Sequence, residues 1–203
     1  MVRFFLIFLL CGSAAVADAV DKIAATAKAR FGSMPDVVTV PEIVGRCGAT
    51  EEVNQQAVYC TTRNQILIAA DARSLPEAPY LVAHLFGHAV QVQHGVADFA
   101  LSEIRARRRE EAMLRGLVER QVDCIAGFLF TEAGLAPTDL ADLVADDPFD
   151  GIHWGRDPLR IGPTVSIGRD ARAEWFAVGQ GGDLAACGPG EFTADLLLEA
   201  LRR

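Results

Sequence analysis

The sequence has no surplus of basic residues. It contains 19 Lys and Arg against 27 Asp and Glu, and its formal net charge is −8. Proteins that bind nucleic acid neutralise its phosphates with a basic face, so we expect no nucleic-acid partner. The sequence also lacks a C-x-x-C pair, an internal repeat and a low-complexity tract. A zinc site built from cysteine pairs is therefore not expected.

No apolar run reaches the length of a membrane-spanning helix. A bilayer core needs about 20 consecutive apolar residues, and the N-terminal run at residues 4–11 is much shorter. It follows Arg3 and precedes an A-V-A tripeptide at residues 15–17, the order found in secretory signal peptides. We therefore predict a signal peptide over residues 1–17 and a mature chain that is periplasmic or secreted, without a membrane span. The alternative is that this segment is a buried first helix.

Five cysteines occur, and Cys11 falls within the predicted signal peptide. The four that remain are Cys47, Cys60, Cys124 and Cys187. An even number of cysteines in an exported chain predicts two disulfides, and the count alone allows three pairings. Four buried thiols or additional metal ligands are the alternatives.

The length of 203 residues and the hydrophobic fraction of 51% suffice for one domain with a sizeable core. Apolar periodicity and glycine or proline breaks predict an α+β fold that is mainly α. We predict an N-terminal helix and an extended lead-in over residues 18–45, followed by one domain over residues 46–203. The elements expected in that domain are a hairpin of residues 57–60 and 65–68, helices over 79–95, 98–130, 138–145, 169–178 and 192–201, and a loop over 146–163.

Two histidines share one face of the predicted helix over residues 79–95. His84 and His88 are four residues apart, which puts their Cβ atoms about 5–6 Å apart and lets both imidazoles bind one metal ion. The zincin pattern H-E-x-x-H has the same spacing and uses its glutamate as general base. Leu85 occupies the glutamate position here, so the pattern predicts a metal pair without its base. The alternative is a pair of ordinary core or surface histidines.

Two acidic residues share a face of the next predicted helix. Glu119 and Asp123 are four residues apart within an apolar segment. Burying carboxylates is costly unless something pairs with them, and a metal ion with its histidine ligands would be such a partner.

Two sequence blocks resemble those of the bacterial neutral zinc metallopeptidases. Members of that family carry A-H-E-x-G-H-H-x-Q on one helix and E-x-Q-A-D-C-x-A-G on a later one. This chain has A-H-L-F-G-H-A-V-Q at residues 83–91 and E-R-Q-V-D-C-I-A-G at residues 119–127. Segments at residues 47–68 and 172–187 are also similar, so the resemblance runs in register over most of the chain.

The resemblance implies a zincin-like metallopeptidase domain with a zinc cofactor. His84, His88 and Glu119 would be the zinc ligands, and Asp123 would orient one of the ligand histidines. The disulfides implied are Cys47–Cys60 and Cys124–Cys187.

This chain departs from the family pattern where the pattern carries chemistry. Leu85 replaces the general base, Ala89 replaces a second adjacent histidine, and Ile167 with Gly168 replaces a His-Gly pair. General acid–base assistance is typically worth about 10²–10⁴ in rate, and amide cleavage needs a proton for the leaving amine. We therefore expect an exported zinc-binding pseudopeptidase with a structural role or with a peptide or protein partner. Restoring the glutamate by Leu85→Glu is expected to restore the H-E-x-x-H geometry.

Two alternatives remain open. One is an active zinc-dependent hydrolase whose base comes from outside the motif, for which Asp98, Glu103 and His153 are candidates. The other is a metal-free structural domain. Metal analysis distinguishes the second alternative from the rest, and a peptide-cleavage assay distinguishes the first.

Overall fold

The computed structural model describes residues 10–159 and 165–202, with side chains from residue 15 onward. Residues 1–9 of the predicted signal peptide lie outside the described residues, and residues 10–17 are the first turns of a helix. The helices are α1 Leu10–Phe31, α2 Ala78–Gln93, α3 Val96–Ala106, α4 Glu111–Glu132, α5 Leu140–Leu143, α6 Arg169–Gln180 and α7 Asp195–Ala200. The strands are β1 Asp36–Val40, β2 Ala57–Cys60, β3 Gln65–Ala69 and β4 Trp154–Gly155. The prediction of a mainly helical α+β fold is confirmed.

Helix α2 is the central element, and it is buried from Ala78 through Gln91. Pro79 lies in its first turn, where a missing N–H costs nothing. The helix stops before Gly95, which adopts a φ of +84° that favours glycine. Helices α1, α3 and α4 pack around α2. The helix predicted over residues 79–95 is therefore confirmed, and its histidines lie in the interior.

Two glycines let the helices that carry the polar interior approach closely. A Cβ at Gly87 of α2 would lie 2.8 Å from the carbonyl oxygen of Val122 in α4. A Cβ at Gly127 of α4 would overlap the Phe176 carbonyl of α6. Because neither position has room for a side chain, α4 lies directly against α2 on one side and α6 on the other.

The sheet has the order β1-β3-β2-β4. Strands β2 and β3 form the predicted hairpin, and β1 pairs with β3 in parallel. Strand β4 pairs with β2, with Tyr59 opposite Trp154. Strand β4 lies inside the segment that we predicted to be a loop, so that prediction is wrong at these two residues. The pairing is between residues far apart in sequence, and a two-residue strand leaves no periodicity to detect.

The single helix predicted over residues 98–130 is also wrong. Helices α3 and α4 are separate, because the backbone turns at Arg107 with φ −126° and ψ +55°. The Arg107 guanidinium contacts the carboxylates of Glu103, Glu110 and Glu191 at 2.7–3.3 Å, which holds the turn. The helix predicted over 138–145 shortens to α5, and that predicted over 192–201 shortens to α7.

Two disulfides link the chain, and their pairing is the one that the family resemblance implies. Cys47 is bonded to Cys60, and Cys124 is bonded to Cys187. The first ties the turn before β2 to the sheet, and the second ties α4 to the C-terminal segment. The alternative of four free thiols is therefore excluded.

Helix α1 shares the main hydrophobic core with the rest of the chain. Its residues Val20, Ile23 and Ala27 are buried in the same cluster as the sheet and α2. Among the described residues, the structure contains no helix that is long and apolar enough to span a membrane.

Candidate metal centre

Four buried side chains converge between α2, α4 and the start of β4. His84 and His88 come from α2, Glu119 comes from α4, and His153 immediately precedes β4. One donor atom from each lies within 4.8 Å of the other three. Three of the four histidines in the chain thus meet at one point with a carboxylate. The structure brings together the three predicted ligands and adds His153 to them.

The donor separations fit one small ion. Nε2 of His153 lies 3.2 Å from Nε2 of His84 and 2.9 Å from Nε2 of His88. The Glu119 oxygens lie 3.6–3.9 Å from the three Nε2 atoms. In a tetrahedral zinc site with bonds of about 2.0–2.1 Å, the corners are about 3.3–3.4 Å apart. The observed spacings lie on both sides of that value, so the four atoms approximate the corners of one coordination shell.

Hydrogen bonds fix the tautomers of His84 and His153 so that the Nε2 lone pairs of the two rings face each other. Nδ1 of His84 lies 2.8 Å from Oδ1 of Asp123, and Nδ1 of His153 lies 2.7 Å from the carbonyl oxygen of Gly151. An ionised carboxylate and a carbonyl only accept, so Nδ1 carries the proton in each neutral ring and Nε2 carries the lone pair. A cation between the two Nε2 atoms would replace their repulsion with two bonds. The donor set therefore fits a metal ion.

Aromatic rings fix the orientation of the imidazoles. Phe149 stacks on His84 with ring centroids 3.9 Å apart, and Trp154 stacks on His88 at 4.8 Å. Phe149 also contacts His153, with 4.5 Å between centroids. These rings hold the histidines in place and exclude water from the sides of the cluster.

The Asp123 carboxylate lies directly behind His84. Its Oδ1 accepts hydrogen bonds from Nδ1 of His84 and from the Tyr80 hydroxyl, each at 2.8 Å. Such a carboxylate behind a histidine sets the tautomer and makes the ring a stronger ligand.

Arg172 of α6 is fully buried beside the cluster. One of its terminal nitrogens, Nη1, donates to Glu119 and Asp123 at 3.0 Å each, and its Nε donates to Asp147 at 2.7 Å. One guanidinium and three carboxylates give this buried group a formal charge of −2. A divalent cation at the histidines would bring the total to zero.

Burial changes the pKa values of the ligands. It lowers the pKa of His84 and His88 well below the usual range and that of His153 to about 4. Burial also raises the pKa of Glu119 to about 7 and that of Asp123 to about 6, although Arg172 opposes both shifts. Near neutral pH the three histidines are therefore neutral, the form that binds metals. The carboxylates gain a strong preference for any cation that would share their site.

A cavity of about 270 Å³ lies beside the cluster, between α3, α4 and the segment before β4. Glu119 and His153 line it, together with apolar residues such as Ile104, Val118 and Trp154.

Leu85 follows His84 by one helical step of about 100°. Its side chain is fully buried and belongs to the main hydrophobic core. The expectation that a glutamate at position 85 would face the metal-ligand space stays a prediction from the motif.

The other residues proposed as an external base differ in position. Asp98 is exposed, and Glu103 pairs with Arg107 on the surface, so neither joins the cluster. His153 does join it, as a fourth donor. Ala89 lies in the core, and Ile167 lines a surface hollow near the start of α6.

No family model, no curated protein and no solved structure matches this chain. The relationship to the neutral zinc metallopeptidases therefore stays a prediction from the sequence blocks. The positions of the four donor atoms support a metal site independently of that resemblance.

Proposed function

We propose that this chain is an exported zinc-binding protein, related to the neutral zinc metallopeptidases, that holds the ion in a closed site and does not cleave peptides. The observation that carries this proposal is the convergence of His84, His88, His153 and Glu119 at coordination distances. Imidazole and carboxylate donors suit zinc, and four protein donors are the mark of a structural zinc site. A bound ion would supply four bonds that link α2, α4 and the segment before β4.

The closed shell argues against catalysis. Catalytic zinc sites keep one position open for water or substrate. Here His153 would take the fourth corner, so the four protein donors would complete the shell. Leu85 supplies no base, because a hydrocarbon side chain cannot take up a proton.

The cavity favours a second candidate, a zinc-dependent hydrolase. In that case the three histidines hold the ion, and Glu119 is the base rather than a ligand. Glu119 lines the cavity, and burial raises its pKa to about 7, a value suited to proton transfer near neutral pH. This candidate requires the Glu119 carboxylate to move away from the ligand position.

Metal content and peptide cleavage together test both candidates. The full exported chain, purified without a histidine tag, should retain about one zinc per molecule, and His153→Ala should lose most of it. His94→Ala is the matched control, since His94 is the one histidine outside the cluster. Peptide hydrolysis at background level in the zinc-loaded protein supports the closed site. Zinc-dependent cleavage that Glu119→Gln abolishes would establish the hydrolase instead, and a chain that takes up no metal would refute both.

A further inference from the structure

We propose that Arg172 is a positioning residue of the metal centre: it sets the charge of the site for a divalent ion and aims two carboxylates at it. This inference rests on the proposed binding of metal by the four-donor cluster. It concerns a residue on α6, a helix that contributes no ligand.

Each nitrogen of the guanidinium donates to a group that belongs to the centre or adjoins it. Nη1 bridges Glu119 Oε2 and Asp123 Oδ2, and Nε donates to Asp147. Nη2 donates to the carbonyl oxygen of Phe149, the residue whose ring stacks on His84. A planar fork with five donors can make these contacts together, whereas a lysine ammonium cannot match their directions.

The contact with Glu119 selects which oxygen faces the ion. Arg172 engages Oε2, which also lies 3.7 Å from Nε2 of His84, while Oε1 lies 3.6 Å from Nε2 of His88 and 3.9 Å from Nε2 of His153. Oε1 thus faces two of the histidines, while Oε2 is shared between Arg172 and the side of His84. We infer that Arg172 holds Oε2 and leaves Oε1 available to the ion.

The contact with Asp123 comes from the same nitrogen of Arg172. Arg172 holds Oδ2 of Asp123, which leaves Oδ1 for Nδ1 of His84. A single guanidinium nitrogen therefore orients one ligand directly and a second through a carboxylate. Glu119 and His84, the two residues oriented in this way, would both bind the ion.

The charge of the group points to a divalent ion. With Arg172 the three carboxylates leave −2, which a divalent cation neutralises, whereas a monovalent ion would leave a buried negative charge. Without Arg172 the group would carry −3, which a divalent cation no longer neutralises. Loss of the guanidinium also removes the donor shared by Glu119 Oε2 and Asp123 Oδ2. Both carboxylates then lose their orientation, so loss of Arg172 weakens binding in spite of the added negative charge.

The test compares Arg172→Lys with Arg169→Lys in the full exported chain. Arg169 lies on the same helix with an exposed side chain that pairs with Asp170, so its variant controls for the substitution itself. Zinc affinity is measured by competition with a chelator, and the visible spectrum of the cobalt(II) form reports the coordination geometry. We expect Arg172→Lys to bind zinc about 10–100-fold more weakly and to shift the cobalt bands. Arg169→Lys should match wild type in both.

The possible outcomes separate this inference from the proposal beneath it. Wild-type protein that binds neither zinc nor cobalt refutes the metal site, and Arg172 with it. Wild-type binding with an unchanged affinity and spectrum in Arg172→Lys refutes the role of Arg172 alone. Should Arg172→Lys fail to fold, Asp147→Ala removes the Nε partner at the rim of the group. It should give a smaller affinity loss and band shift, and an Asp147→Ala protein identical to wild type would overturn the inference.

Discussion

The indole of Trp154 lies parallel to the imidazole of His88, with centroids 4.8 Å apart and 21° between the planes. The pair joins the sheet edge to the central helix, since Trp154 belongs to β4 and His88 to α2. A metal bound at Nε2 of His88, in the plane of the imidazole, would lie close to an indole whose fluorescence can be measured.

Cobalt(II) should therefore quench Trp154. The chain has two tryptophans, so Trp175→Phe leaves Trp154 as the single fluorophore. In that background we expect the emission to fall until one equivalent of cobalt is added, because an open-shell ion quenches a stacked neighbour. Adding His88→Ala should abolish the effect, and adding His94→Ala should preserve it. Emission that ignores cobalt would contradict the proposed position of the ion.

Asp123→Asn tests the carboxylate behind His84. An amide offers a weaker, uncharged acceptor to Nδ1 and can present its NH₂ group instead, which favours the wrong tautomer. We expect zinc affinity to fall about 10–100-fold, measured by chelator competition. Asp170→Asn, at an exposed position on α6, should bind as wild type does. Equal affinities for the two variants would show that Asp123 does not support the ligand.

Zinc affinity should depend on pH through Glu119. Burial raises the pKa of Glu119 to about 7, and zinc requires the carboxylate. Affinity should therefore rise with pH up to about 7 and level off above it, falling about fivefold between pH 7 and pH 6. The decline should steepen below pH 6, where Asp123 with its pKa of about 6 also takes up a proton. Isothermal titrations across this range measure the slope, and a flat profile from pH 6 to pH 7 would be the contrary result.

In the metal-free protein, Glu119 should give the opposite pH dependence: its contribution to the free energy of unfolding should fall as pH rises. A raised pKa means that the folded state binds the proton more tightly, so this stabilisation from Glu119 is complete below about pH 4.5 and is lost as pH rises through 7. The lowered pKa of His153 acts in reverse: folding is favoured above about pH 6.5, and that advantage is lost as pH falls towards 4. Urea unfolding of Glu119→Gln and wild type, both metal-free, should therefore converge at low pH and separate above pH 7.

Zinc should raise the melting temperature. A ligand at about 100 times its dissociation constant adds about 2.7 kcal/mol to the free energy of unfolding, which corresponds to about 5–11 °C for a chain of this length. His153→Ala should lose most of this shift, and His94→Ala should retain it. Scanning calorimetry with and without a chelator provides the comparison, and equal melting temperatures for wild type in both would count against a bound metal.

Leu85→Glu should destabilise the protein and should not create a peptidase. The side chain is fully buried among apolar residues, so the new carboxylate would have no partner. An uncompensated buried charge costs roughly 3–5 kcal/mol, a large part of the stability of a typical domain. Leu85→Met conserves the volume and should cost less than about 1.5 kcal/mol. Urea unfolding measures the stability of both variants. A stable Leu85→Glu protein that cleaves peptides would instead confirm the expectation that this substitution restores the H-E-x-x-H geometry.

Helical spacing was sufficient to predict part of the centre. His84 with His88, and Glu119 with Asp123, are each four residues apart, and periodicity shows that each pair shares a face. The partners of these faces depend on packing. Spacing therefore predicted two ligand-bearing helices, and the sequence blocks supplied the match between them.

His153 and Arg172 could not be assigned their roles in the same way. His153 reaches the cluster because β4 pairs with β2. These segments are about ninety residues apart in sequence, and no local pattern predicts that they pair. Arg172 lies in a charged helical stretch that local patterns predict to be exposed. It is buried because α6 approaches α4 closely at Gly127. Leu85 illustrates a related limit. The motif gives its position in the sequence, but the packing of α2 determines the surroundings of its side chain.

Two links of nearly equal span would hold this chain together. The Cys124–Cys187 disulfide joins residues 63 positions apart, and His88 and His153, which would share the ion, are 65 apart. A covalent link of that span restricts the unfolded chain by about 4 kcal/mol whatever the solution contains. The second link would form only when the ion is present, so its contribution would follow the free zinc concentration outside the protein. Of these two long-range links, the disulfide would be permanent, while the compartment could supply or withdraw the metal link.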